Sequence, residues 1–295
     1  ANDCTVCSTL VDTIVPGRIR DASEAAAVAE RLGYEDPFLA VREPFQMWGI
    51  QGDESLAEKL PFVKAGLPGV FVTPDVTPYK KRKVRILNGA HTAFVPGSWV
   101  AGFDIVRDCM HDETIRGFMN TMLYDEVIPT LAADLDVEDC KAFAAAVENR
   151  FDNPFIDHAL LSICLNSTAK WRARDLPTLK DYVAETGNLP KCLATSLATL
   201  ISFYTQELVS REGDGLHLRR SDGTEYTAQD DAFVLDFYAA RAGADDAQLV
   251  HDVLTNEQMW GEDLTQIAGL EEFVVNALAV VRTEGAKQAF ANAQA

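Results

Sequence analysis

The spacing of apolar residues divides the chain into two parts. Up to about residue 78, short runs rich in β-branched and aromatic residues, such as TLVDTIV and GVFVTPDV, alternate with proline and glycine signals. One alanine-rich stretch predicts a helix that Asp21 caps at its start and Gly33 ends. Short strands with a helix between them predict that residues 1–78 form the last part of an α/β domain.

From about residue 79 onward, apolar residues recur every three or four positions, which is the period of an α-helix. The pattern predicts an all-helical domain at 79–295 with about eight to ten helices, and Pro177 and Pro190 at helix starts or in connecting turns. Glycine and aspartate signals in the polar segment 210–231 predict a loop or a small hairpin. We therefore expect a mostly α fold, a large multi-helical domain preceded by a small α/β unit.

Composition restricts the classes of partner. The chain is 47% hydrophobic and 24% charged, which is a globular balance. Its net charge of -19 and pI of about 4.6 predict a surface that repels nucleic acids and anionic membranes. There is no apolar run of about 18 residues and no signal-peptide pattern at the N-terminus. We expect a soluble cytoplasmic protein with neither nucleic acid nor membrane as a partner.

The cysteines and histidines give little support for a metal. Six cysteines are few for this length, which suits a reducing compartment. Cys4 and Cys7 form a CxxC pair, but no second pair completes four ligands, so zinc or redox use is the minor alternative. The five histidines lack HExxH spacing. We predict chemistry without a metal.

Glycine-rich phosphate loops are also missing. The sequence has no strand-GxGxxG-helix unit and no GxxxxGK[ST] motif. Gly213 and Gly215 lack the third glycine, and we interpret them as a turn. The sequence alone therefore assigns no residue to cofactor binding.

The densest chemical signal is the basic segment YKKRKVRILNGAH, residues 79–91. On an α-helix, Lys83, Asn88 and His91 would fall within an arc of about 140°. A partly buried lysine among other cations gives up its proton more readily, and an amide and an imidazole can hydrogen-bond a developing alkoxide. The set suits carbonyl reduction or alcohol oxidation. Spacing alone also allows a solvated lysine, a helix-breaking asparagine and a core histidine.

This segment resembles the K-x-x-x-x-N-x-x-H signature of the mannitol dehydrogenase family of polyol and sugar-acid dehydrogenases. The resemblance implies that Lys83 is the acid-base catalyst, that Asn88 and His91 steady the oxyanion, and that NAD is the cofactor. It also implies a helical domain similar to the C-terminal domain of 6-phosphogluconate dehydrogenase.

Two further segments resemble this family. STLVDTIVPGR implies that Asp12 lies near the active site. RFDNPFIDHALLSICLNSTAKWRARDLPTL implies that Lys170 reaches the substrate, with Asn166 one helical turn before it. Lys170 and Arg85 are candidates for binding hydroxyls or a carboxylate, because an anionic substrate needs a local positive pocket in so acidic a chain. For Arg85, a surface position is an equal alternative.

The segments EPFQMWGIQG and LPKCLATSLATLISFYTQ are most similar to the branch of this family that interconverts tagaturonate and altronate. This implies reversible hydride transfer between NADH and the keto carbon of a small-molecule sugar acid. The alternatives are fructuronate, mannitol or another polyol as substrate, or a non-enzymatic helical interaction domain.

Members of the family begin with a nucleotide-binding domain, and most of that domain is missing from this sequence. The chain is therefore expected to be the catalytic half, with the NAD site mostly outside it and no activity by itself. It would be either a fragment or one of two separate chains. The oligomeric state is left open.

Overall fold

The computed structural model describes residues 4–19 and 21–295. They form two compact units. Unit 1 holds the described residues of 1–83 together with 155–157, and unit 2 holds 84–154 and 158–295. Helices dominate and the sheets are small, which confirms the mostly α fold predicted from the sequence.

Unit 1 contains a three-stranded sheet in the order β1-β2-β3, in which β1 runs antiparallel to β2, and β2 parallel to β3. A parallel pair needs a crossover connection, which α2 and α3 provide. The elements of unit 1 are β1 (Thr9–Asp12), α1 (Ala22–Leu32), β2 (Met47–Gln51), α2 (Glu54–Lys59), α3 (Pro61–Lys64), β3 (Val70–Thr73) and α4 (Thr77–Arg82).

Helix α1 begins and ends as its sequence predicts. The Asp21 carboxylate accepts a hydrogen bond from the backbone N–H of Glu24 at 2.8 Å. Gly33 adopts a left-handed conformation with φ of 78° and donates its N–H to the carbonyl of Ala29. The predicted cap and stop are both confirmed.

A π-helix, Lys83–Asn88, follows α4, and the expectation of a regular α-helix here is wrong. In a π-helix the hydrogen bonds join residues five apart, so Asn88 falls about one full turn after Lys83 instead of 140° around the helix. The sequence holds no signal for the extra residue in this turn. The change from an α-helix to a π-helix alters which side chains of residues 83–88 lie on the same face. This segment includes the candidate catalytic residues Lys83 and Asn88.

Unit 2 is built mainly from α-helices. They are α5 (Gly89–Val100), α6 (Val106–His111), α7 (Glu113–Thr121), α8 (Val137–Phe151), α9 (Leu160–Ile163), α10 (Ser167–Arg174), α11 (Leu176–Thr186), α12 (Lys191–Tyr204), α13 (Ala232–Ala239), α14 (Asp246–Leu254), α15 (Glu257–Trp260), α16 (Leu270–Glu284) and α17 (Ala286–Ala293). A second π-helix spans Met122–Val127, and short 3-10 turns span Pro129–Leu131 and Leu264–Gln266. Pro177 lies in the first turn of α11 and Pro190 caps α12, as predicted.

The core of unit 2 surrounds α12, which packs against α5 and α16. Every residue from Cys192 to Tyr204 is buried. A Cβ atom on Gly97 of α5 would lie 2.4 Å from Cζ of Phe290 and 2.9 Å from Cβ of Thr199, so only glycine permits this close approach. Among the described residues, no helix is long and apolar enough to cross a membrane.

Residues 207–228 correct the expectation of an all-helical domain with a loop or small hairpin. They form an antiparallel sheet of three strands, β4 (Glu207–Glu212), β5 (Gly215–Arg219) and β6 (Glu225–Ala228). The segment has the period of two typical of strands, because Leu216, Leu218, Tyr226 and Ala228 are buried while polar residues alternate with them. The polar composition of the segment made this alternation difficult to recognise in the sequence. Gly213, with φ of 55°, lies in the predicted turn.

Candidate active site

Lys83 ends the first segment of unit 1, and its ammonium group is anchored within that unit. The Nζ atom donates a hydrogen bond to the carbonyl oxygen of Val11 at 2.7 Å and lies 3.6 Å from the Oδ1 atom of Asp12. The Asp12 side chain is 1% exposed and that of Lys83 is 19% exposed. The structure therefore brings together two of the predicted site residues, Lys83 and Asp12. The charged group beside Lys83 is the carboxylate of Asp12.

Arg85 is engaged within unit 2. Its guanidinium donates to the Oγ1 atom of Thr178 at 2.6 Å and to the Oδ2 atom of Asp181 at 3.0 Å. Both partners lie on α11. These contacts tie the π-helix that carries Arg85 to α11.

Asn88 ends the π-helix, and its backbone is held from two sides. Its carbonyl oxygen accepts hydrogen bonds from the Thr92 hydroxyl at 2.9 Å and from the Nη1 atom of Arg174 at 3.4 Å. The same Nη1 atom donates to the Thr92 hydroxyl at 3.0 Å. The half-buried carboxamide of Asn88 forms no hydrogen bond within residues 4–19 and 21–295. It is therefore available to a ligand.

His91 lies in the first turn of α5 and is 6% exposed. Its ring stacks on Phe151 with centroids 3.9 Å apart and meets His158 edge-on at 5.5 Å. Burial, followed by the charges of His158 and Arg174, lowers the pKa of His91 well below its usual value. Burial also lowers the pKa of His158 to about 4. Both imidazoles are therefore neutral near pH 7.

The Nε2 atom of His91 is buried and has no hydrogen-bond partner in the described part of the chain. Buried polar atoms are seldom left in this state, and an exception indicates a ligand, a water or a functional demand. The unsatisfied imidazole nitrogen and the free carboxamide belong to His91 and Asn88, the two residues that the resemblance predicts to steady the oxyanion.

Lys170 and Asn166 are one helical turn apart, as predicted, because the backbone N–H of Lys170 donates to the carbonyl of Asn166 at 3.1 Å. Lys170 donates from Nζ to the carbonyl of Ile163 at 2.8 Å. Burial, followed by the charge of Arg174, lowers the pKa of Lys170. Asn166 adopts a left-handed conformation with φ of 53° and donates its N–H to the carbonyl of Gln229 at 3.0 Å.

Sequence reasoning missed Arg174 and Thr92, which hold Asn88. The signal for Arg174 was its position four residues after Lys170 on the same predicted helix, which places both cations on one face. No signal in the sequence marked Thr92.

The crossover that joins β2 to β3 does not fit the pyrophosphate of a dinucleotide. The crossover from β2 to the parallel strand β3 begins with a single glycine, Gly52, where a Cβ atom would lie 2.4 Å from Cδ2 of Leu56. The Asp53 carboxylate already accepts the backbone N–H of Leu56 at 3.1 Å. A pyrophosphate would meet a negative charge at this helix start instead of free N–H groups.

Comparison with known proteins identifies a family and relatives that are similar to this chain in sequence. Residues 75–282 match the mannitol dehydrogenase C-terminal domain. An altronate oxidoreductase of Escherichia coli is 43% identical to this chain over 289 residues, and one of Shigella flexneri is 42% identical over the same length. Each alignment covers 96% of this chain and 56% of the relative. The chain thus spans about half the length of the curated relatives it matches.

Solved structures share the fold. A mannitol 2-dehydrogenase from Pseudomonas fluorescens, in a ternary complex with NAD and D-mannitol, superposes with a TM-score of 0.77 at 22% identity, covering 97% of this chain and 54% of that one. A substrate-free D-sorbitol dehydrogenase superposes with a TM-score of 0.74 at 21% identity, covering 98% and 55%. With the family model matched over 75–282, the resemblance drawn from the motifs is confirmed, and the chain belongs to the mannitol dehydrogenase family.

Proposed function

We propose that this chain supplies the proton-transfer and substrate-binding residues of an NAD-dependent enzyme that interconverts tagaturonate and altronate. Relatives at 42–43% identity are named altronate oxidoreductase, which supports this substrate class. The observation that carries the proposal is the state of the signature residues. Lys83 is anchored by Asp12, while Asn88 and His91 keep hydrogen-bonding groups without partners in the described chain.

When bound, NADH would supply hydride chemistry at the keto carbon of the substrate, and the residues of this chain act on the oxygen. Lys83 gives its proton to the oxygen of the same carbonyl and takes it back in the oxidation direction. The carbonyl of Val11 and the carboxylate of Asp12 fix the position of Nζ within unit 1.

Asn88 and His91 hydrogen-bond the carbonyl oxygen and stabilise the negative charge that develops on it. Because the imidazole of His91 is neutral, it donates from one ring nitrogen without delivering the proton itself. This leaves Lys83 as the acid. Lys170 binds a hydroxyl or carboxylate of the sugar acid, and Asn166 sets the start of the helix that carries Lys170. Arg85 has no substrate contact in this proposal, because Thr178 and Asp181 occupy its guanidinium.

The experiment is a steady-state assay of the protein expressed from its complete gene. Oxidation of NADH is followed with tagaturonate and fructuronate, and reduction of NAD with altronate and mannitol. Lys83→Ala should lower kcat for tagaturonate by about a thousandfold, the scale of general acid-base catalysis, and leave the Kd for NADH unchanged. Lys80→Ala is the matched control, since it removes an exposed lysine of the same basic segment.

Each result bears on a different part of the proposal. Turnover of mannitol or fructuronate in preference to tagaturonate and altronate would assign another substrate of the same family. Turnover of Lys83→Ala at the rate of Lys80→Ala would remove Lys83 from catalysis. A protein that turns over none of the substrates would favour the non-enzymatic interaction domain.

A further inference from the structure

Two half-buried cations on α10 lack an ion pair in residues 4–19 and 21–295. Lys170 and Arg174 lie four residues apart, so their side chains share one face of the helix. Several other half-buried or buried arginines have carboxylate partners, among them Arg85 with Asp181, Arg220 with Asp222, and Arg241 with Asp252. In a chain of net charge -19, two neighbouring half-buried cations that have no ion pair among the described residues differ from these arginines.

Placing these cations together is unfavourable in the absence of a ligand. Like charges four residues apart repel, and burial removes water from both. Burial lowers the pKa of Lys170 and of Arg174, and the charge of Arg174 lowers that of Lys170 further. An anion between the two groups would remove this cost.

The nearest carboxyl groups do not fill that role. Asp175 is 2% exposed, and burial raises its pKa well above the usual value, which favours the neutral form of this carboxyl group. Asp230 accepts hydrogen bonds from the Tyr204 hydroxyl and from the backbone N–H of Thr168 at 3.1 Å. Its charge acts on Lys170 from beyond ion-pair distance.

Both cations keep donors for a ligand. Arg174 uses only Nη1, toward Asn88 and Thr92, and its Nε and Nη2 atoms have no hydrogen bond within the described residues. Lys170 uses Nζ once, toward the carbonyl of Ile163. An arginine with Nε and Nη2 free presents the two parallel N–H groups that bind a carboxylate in a bidentate manner.

The position of His91 connects this pair to the proposed chemistry. The charges of Arg174 and Lys170 both act on His91, whose buried Nε2 atom lacks a partner in the chain as described. The two cations and the unsatisfied imidazole therefore belong to one region of unit 2. A ligand bound in this region would have the imidazole nitrogen of His91 near one end, and Lys170 and Arg174 near the other.

We infer that Arg174, together with Lys170, binds the carboxylate of the substrate and selects sugar acids over neutral sugars. This inference rests on the proposed function. Arg174 is the specificity-determining residue because its free fork fits a planar carboxylate, whereas the CH2OH group of a neutral ketose would leave both cations without an anion.

The test compares two substrates that differ in one group, the keto-uronate and the neutral ketose of the same stereochemistry with CH2OH in place of the carboxylate. Arg174→Gln, Arg174→Lys and the control Arg172→Gln, an exposed arginine of α10, are assayed in the protein from the complete gene. Arg174→Gln should raise KM for the keto-uronate about a hundredfold with kcat within about threefold, as loss of uniform binding predicts. Its kcat/KM for the neutral ketose should fall far less, by no more than about threefold, since only the contacts of Arg174 with Asn88 and Thr92 are lost for this substrate.

Arg174→Lys keeps the charge and loses the fork, so the rise in KM should be about tenfold, and Arg172→Gln should match the wild type. An equal loss on both substrates, or a fall in kcat alone, would overturn the inference and leave Arg174 as a residue that only positions Asn88. A raised KM for NADH would overturn it in favour of a cofactor phosphate. A wild type that reduces only neutral ketoses would refute the proposed function as well, whereas an unchanged KM in Arg174→Gln would refute this inference alone.

Discussion

Glu126 places a buried carboxylate at the start of α12, and its charge makes the stability of unit 2 depend on pH. The carboxylate accepts the backbone N–H groups of Cys192 at 2.7 Å and Leu193 at 2.9 Å. These hydrogen bonds favour the charged form, but the side chain is only 6% exposed. Burial has the larger effect and raises the pKa of Glu126 to about 7.

The size and sign of the effect follow from this pKa. In the unfolded chain the group titrates near 4.5, so between pH 4.5 and 7 the folded state binds the additional proton. The contribution is present in full below pH 4.5 and is lost as pH rises through about 7. The difference between the two pKa values corresponds to about 3 kcal/mol of unfolding free energy.

Glu126→Gln should remove this pH dependence, because the amide is neutral at all relevant pH values. One backbone N–H retains an acceptor, and the loss of the other costs about 1 kcal/mol. Urea unfolding followed by circular dichroism at pH 5 and pH 8 measures the difference between wild type and variant. The wild type should lose about 3 kcal/mol more than the variant across this interval.

Glu138→Gln is the control, since Glu138 is 80% exposed and lies in the first turn of α8. The Glu138→Gln protein should keep the pH dependence of the wild type. If the free-energy difference between wild type and Glu126→Gln were the same at pH 5 and pH 8, burial would not control the ionisation of Glu126.

Two further substitutions test packing and backbone conformation. Gly97→Ala should lower the free energy of unfolding by about 1–3 kcal/mol, because the new Cβ atom overlaps Phe290 and Thr199; a urea midpoint at or above that of the wild type would contradict the close approach. Asn166→Ala should cost about 1 kcal/mol in the left-handed conformation, whereas Asn166→Gly should be within about 0.5 kcal/mol of the wild type. Equal urea midpoints for the two Asn166 variants would show that the left-handed backbone is not what this position requires.

Sequence patterns correctly predicted those elements whose bounds depend on contacts between residues close together in the chain. The bounds of α1 follow from a carboxylate that caps one end and a left-handed glycine that ends the other, and both are visible in the sequence. The segment 207–228 was predicted only as a loop or small hairpin, and not as a sheet of three strands, because its buried alternate residues are separated by polar ones that look like a loop. Tertiary packing, and not local propensity, makes that segment a sheet.

The sequence predicted which residues belong to the candidate site but not how they are arranged in space. Lys83, Asn88 and His91 were found by spacing and resemblance, but the π-helix that sets their phase has no sequence marker. The ion pair between Lys83 and Asp12 joins residues 71 positions apart, and the contact of Arg174 with Asn88 spans 86 positions. Contacts at such separations depend on the fold, so a single sequence cannot specify them.

The enclosure of α12 determines how unit 2 can open. Water reaches the backbone amides in the middle of this helix only when the neighbouring α5 and α16 move away from it. Hydrogen exchange at those amides therefore follows cooperative opening of unit 2 and not fraying of one helix end. The exchange rate of the α12 amides reports how often unit 2 opens as a whole.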